Sequence, residues 1–71
     1  MKLNFYLKKF RISKNMTQKQ FAEKIGITQT TYSFIESGSH KPSFKIINKL
    51  AEILELTPEE IRAMLWNTQT N

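Results

Sequence analysis

The sequence predicts an all-α protein: a compact five-helix bundle formed by one domain over residues 1–71. Three observations lead there. Apolar residues recur every three or four positions and no window alternates with period two, the spacing of helices rather than strands. Four segments open on a hydroxyl residue placed to cap a helix, at Thr17, Thr28, Ser43 and Thr57. Two glycines and two prolines leave little room for long loops.

The first helix, about residues 3–14, places Leu3, Leu7 and Phe10 on one face. Asn15 follows where a helix often ends in a left-handed residue. Phe5, Tyr6 and Ile12 are further large apolar groups, expected to pack under the edges of the bundle, with a partner surface as the alternative. The second helix, about 18–25, opens on a capping box of Thr17 and Gln20, with Met16 and Phe21 in the staple positions. It buries Phe21, Ala22 and Ile25. Gly26 then supplies a turn at positive φ, and the small Ala22 lets two helices cross closely.

The third helix, about 29–37, repeats the cap at Thr28, with Ile27 and Tyr32 as its staple, and buries Tyr32 and Ile35. Gly38 is its expected left-handed terminator. In the polar loop beyond, Pro42 keeps Lys41 out of helical geometry. Ser43 caps the fourth helix, about 44–55, whose buried stripe is expected to hold Phe44, Ile47, Leu50, Ala51 and Leu54. Leu56, Thr57, Pro58 and Glu60 make a complete start for the fifth, about 58–66. Residues from about 67 to 71 have no apolar anchor and should fray.

Two short capped helices joined by a glycine turn form the helix-turn-helix pattern. Near the start of its second helix stand Gln29, Thr30, Thr31 and Ser33, short or amide side chains able to touch base edges. Charge supports that reading. Residues 1–49 carry ten basic and two acidic groups, a net +8, whereas residues 50–71 carry one basic and four acidic, a net −3. A basic body suits a polyanion.

Other classes find no support. There is no cysteine, and His40 alone builds no metal site, so neither metal nor cofactor is expected. No His–carboxylate–nucleophile set or glycine-rich phosphate loop marks an enzyme. Glu59 and Glu60 are accounted for by the helix N-terminus they occupy. No apolar run reaches the roughly 18 residues of a membrane span and no signal peptide is present, which predicts a cytoplasmic protein.

The chain resembles the lambda-repressor-like, XRE-type (Cro/repressor) helix-turn-helix family over residues 3–66. The resemblance is carried by Leu7, Phe10 and Arg11, Thr17-Gln18, Phe21-Ala22, Gly26, Thr28-Gln29, the run TYSFIESG at 31–38, Lys41-Pro42-Ser43 and Leu50-Ala51. It implies a sequence-specific regulator of transcription, a repressor by type, that reads double-stranded DNA with helix 29–37 in the major groove. It also implies a homodimer on a near-palindromic operator. An antitoxin-like protein-interaction module on the same fold is the alternative.

By the same resemblance Gln29 makes a bidentate contact to adenine. Thr30 offers its methyl to thymine, and Thr31 and Ser33 are further readers beside the Thr28 cap. Thr17 and Gln18 contact phosphate at one end, and Ser39, Lys41 and Ser43 form a second phosphate clamp. Tyr32 belongs to the core, with its hydroxyl within reach of a phosphate. Phe34 departs from the family's usual polar or basic residue. It either contacts thymine methyls or folds back under helix four. Arg11 and Glu36 form an ion pair between helices one and three. Leu56, Met64 and Trp66 supply the dimer surface, unless Trp66 caps the monomer core beside Phe5 or Tyr6.

Overall fold

The computed structural model describes the backbone of residues 2–67 and the side chains of residues 2–65. Its helices are α1 (Leu3–Ser13), α2 (Gln18–Ile25), α3 (Gln29–Glu36), α4 (Phe44–Leu54) and α5 (Pro58–Asn67). No strand occurs among the described residues. Each boundary lies within a residue of its sequence expectation. Asn67, expected in the tail, closes α5, and residues 68–71 lie outside the described residues.

Local chemistry sets these boundaries. The Thr17 hydroxyl accepts from the Gln20 amide at 3.0 Å while the Gln20 side chain accepts from the Thr17 amide at 2.9 Å. Thr57 and Glu60 repeat this reciprocal pair at 3.1 and 2.8 Å. Thr28 and Ser43 each cap with one hydroxyl, toward Thr31 and Ile46. The helix ends are as uniform. After α1, α2, α3 and α4 a single residue turns left-handed: Asn15, Gly26, Gly38 and Glu55. The next amide then bonds a carbonyl five residues back, as in Met16 to Arg11, Ile27 to Ala22, Ser39 to Phe34 and Leu56 to Ala51. These are Schellman closures.

α2 packs on α3, α1 lies against α3 and α5, and α4 against α2 and α5. The core between them holds Leu3, Leu7, Phe21, Ala22, Ile25, Tyr32, Ile35, Ile47, Leu50, Ala51, Leu54 and Ile61. An aromatic chain crosses it. Phe10 of α1 meets Phe21 of α2 at 6.0 Å between ring centroids, and Phe21 meets Tyr32 of α3 edge-to-face at 5.3 Å.

Three expectations about the core need correction. Phe44 is 70% exposed instead of buried. At about 100° per residue it points some 70° away from the mean direction of Ile47, Leu50, Ala51 and Leu54. Phe5 and Ile12 are 58% and 54% exposed, because they lie on the side of α1 opposite Leu3 and Leu7. Tyr6 does pack against the core.

Gly38 sits at φ 84°, and a Cβ there would approach the Asn4 amide nitrogen to 3.2 Å. Gly38→Val therefore costs at least about 1–2 kcal/mol in backbone strain alone. Ser39→Val, at an exposed neighbour without positive φ, costs clearly less. Thermal melts of the two variants check this, and equal melting temperatures would refute it.

Candidate nucleic-acid interface

The two helices of the candidate site are locked together by one carboxylate. Glu36, the last residue of α3, is buried. Its Oε2 accepts from Arg11 Nε at 2.8 Å and from the Tyr32 hydroxyl at 2.5 Å. Its Oε1 accepts from Arg11 Nη2 at 3.1 Å and from Gln18 Nε2 at 2.9 Å. Arg11 Nη1 donates to the Met16 carbonyl at 2.9 Å, just ahead of the Thr17 cap. The expected ion pair between α1 and α3 is thus present and bidentate, a geometry that adds direction to charge.

The Tyr32 hydroxyl turns inward to Glu36, which corrects its expected reach toward a phosphate. A phenol beside a buried carboxylate lowers the energy of both by donating to it. Burial and that hydrogen bond hold the Tyr32 hydroxyl above its ordinary pKa. Burial alone would raise the Glu36 carboxyl. Hydrogen bonds from Arg11, Tyr32 and Gln18, with the charge of Arg11, outweigh it and leave the group below its ordinary value. The bond to Glu36 raises Arg11 in turn, so the pair stays charged.

Above this lock stands the outer face of α3. Gln29 and Thr30, its first two residues, are exposed and their side chains bond to no described residue. Thr28 and Thr31 are also exposed, but their hydroxyls are joined at 2.9 Å, so each has a local partner already. Ser33 is half-buried. Phe34 does not fold back under α4. It is 44% exposed and meets the His40 ring at 4.9 Å between centroids.

The loop after α3 curls over the Phe34 carbonyl, which accepts from the Ser39 amide, the His40 amide and the Ser37 hydroxyl. Pro42 is buried, whereas Ser39, Lys41 and Ser43 are exposed beside the start of α4. Thr17 is exposed at the start of α2 and Gln18 is half-buried next to it. Leu56 and Met64 are partly buried against the core. The Trp66 side chain lies outside the described residues. Among those residues no cluster could hold a metal ion, and no helix is long and apolar enough to cross a membrane.

Two features escaped the sequence reading. The tilted contact of the His40 ring with Phe34 joins a loop residue to a helix residue, and the turn at Gly38 brings them together. The bond from Gln18 to Glu36 spans 18 residues and leaves no local mark.

A helical bundle presenting a short capped helix, braced from behind by a second and by a satisfied ion pair, defines a helix-turn-helix domain. Residues 7–61 match the family model described as helix-turn-helix. An uncharacterised HTH-type transcriptional regulator of Archaeoglobus fulgidus is 36% identical over 55 residues, 78% of either chain. The cryptic phage CTXphi transcriptional repressor RstR of Vibrio cholerae is 37% identical over 71 residues, all of this chain and 62% of that one. The HTH-type transcriptional activator BcrR of Enterococcus faecalis is 31% identical over 61 residues, 86% of this chain and 30% of that one. The chain belongs to the helix-turn-helix family, in its lambda-repressor-like branch.

Proposed function

We propose that this protein is a sequence-specific double-stranded DNA-binding regulator of transcription that reads the major groove with α3. One observation carries the reading. The N-terminal turn of α3 offers Gln29 and Thr30, exposed and bonded to no described residue, on a helix held from behind by Glu36. Gln29 suits a bidentate contact to adenine, and Thr30 a thymine methyl. Phe34, open on one side of His40, borders the same face. Thr17 and Gln18 at the start of α2, and Ser39, Lys41 and Ser43 at the start of α4, serve as the two phosphate contacts that set register.

The protein acts as a cytoplasmic binding protein and not as an enzyme. We assign it a repressor role, supported by the whole-chain match to a phage repressor. It binds as a homodimer through a surface that includes Leu56, Met64 and Trp66.

Selection of bound duplexes from random DNA tests the proposal. The expected product is one enriched motif with two inverted half-sites about 10–10.5 base pairs apart. No enrichment over the starting pool overturns DNA reading, and a single half-site overturns the dimer. On the selected site Gln29→Ala costs about 1–3 kcal/mol and relaxes preference at one base pair. Lys41→Ala instead weakens all duplexes alike and shallows the salt slope by about one unit. Titrations against matched, mutated and unrelated duplexes at several salt concentrations separate the two. Equal losses on every sequence for Gln29→Ala remove it as a base reader.

A further inference from the structure

Gln18 is the first residue of α2 and Glu36 the last of α3, yet their side chains meet at 2.9 Å. An ionised carboxylate only accepts hydrogen bonds, so it dictates which end of the Gln18 amide faces it. The NH2 group must turn inward, with one N–H on Glu36 Oε1. The second N–H and the carbonyl oxygen of the amide bond to no described residue. Arg11 holds the same spot from behind, because its Nη1 bonds the Met16 carbonyl two residues before Gln18. Its bidentate pairing also balances the Glu36 charge, which would otherwise repel an approaching anion.

We propose that Glu36 is a positioning residue for DNA binding, holding the Gln18 amide with one N–H on its carboxylate and the other presented to a DNA phosphate. This rests on the reading of the α2 N-terminus as a phosphate contact. A glutamine fixed in advance loses less side-chain freedom on binding than a free one. The same carboxylate belongs to the last residue of α3, so the phosphate contact and the base-reading helix share one anchor, and their offset is built in.

A double-mutant cycle on the selected duplex tests the coupling. Gln18→Ala loses roughly tenfold in affinity, the scale of one charge-assisted hydrogen bond. Glu36→Gln, whose amide can donate as well as accept and so no longer dictates the orientation, loses several-fold on its own. In the Gln18→Ala background Glu36→Gln loses nothing more, within about twofold. A purely structural Glu36 would lower affinity equally in both backgrounds, and that result overturns the proposal.

NMR of the unaltered protein gives a second arm should Glu36→Gln fail to fold. The two Nε2 protons of Gln18 resonate apart, and only one moves when duplex is added. If neither moves while resonances of α3 do, the proposal is overturned and DNA reading stands. If no duplex is bound at all, both fall together.

Discussion

Replacing Arg11 by methionine lowers folding stability by up to about 3–5 kcal/mol at neutral pH, the cost of stranding one member of a buried ion pair, less what Tyr32 and Gln18 still donate to Glu36. The methionine keeps the apolar stem but removes three donors, two from Glu36 and one from the Met16 carbonyl. Some 4–10 kcal/mol is the whole stability expected of a domain this size, so the variant is marginal. Acid should narrow the gap. In the parent the carboxyl of Glu36 is held below its ordinary value. Its stabilisation is therefore complete above the unfolded carboxyl's pKa of about 4.3 and is lost as pH falls through the lower folded value. Without Arg11 its hydrogen bonds and its charge no longer lower this carboxyl, so the folded pKa moves up from the parent's and the variant takes up its proton at higher pH. Urea unfolding of both proteins at pH 7 and near pH 4 measures this. A deficit that stays constant between the two would show that the loss is packing alone.

Phe21→Ala carries an expected cost of about 3–5 kcal/mol. Phe21 is fully buried and forms the middle link between Phe10 and Tyr32. Its removal opens a cavity and separates the aromatic contacts of α1 from those of α3. The matched control is Phe5→Ala. Phe5 is the same residue type on the outer side of α1, and its loss should stay within about 0.5 kcal/mol. Comparable losses in denaturant midpoint for the two would show that Phe21 does not hold the bundle together.

The helices were legible because their signals are local. Thr17 with Gln20 and Thr57 with Glu60 announce a start within four residues, and Gly26 and Gly38 announce a stop. Glu55 was not legible as a left-handed terminator, because nothing in a glutamate requires that conformation. The Leu56-to-Ala51 closure imposes it. Periodicity likewise found Leu3, Leu7, Ile47 and Leu50, but it misplaced Phe44, Phe5 and Ile12. Hydrophobicity says that burial is favourable, not that a neighbouring helix covers that angle. At the candidate site the outward residues of α3 followed from spacing. The Arg11–Glu36 pair followed from the family resemblance, but the bonds from Gln18 and Tyr32 to the same carboxylate did not, because donors at 11, 18 and 32 converge only once three helices have packed.

Four helices beginning on their own serine or threonine, and four ending on their own left-handed residue, have a kinetic consequence. Each segment holds the instructions for its limits within a few residues, so helical turns can form before the chain has closed. Bundles dominated by such near-neighbour contacts fold in microseconds to milliseconds. The Arg11–Glu36 bond, spanning 25 residues, requires α1 to be brought back against α3. That pair can form only once these two helices have docked, so it reports the closing of the bundle and not the forming of its helices.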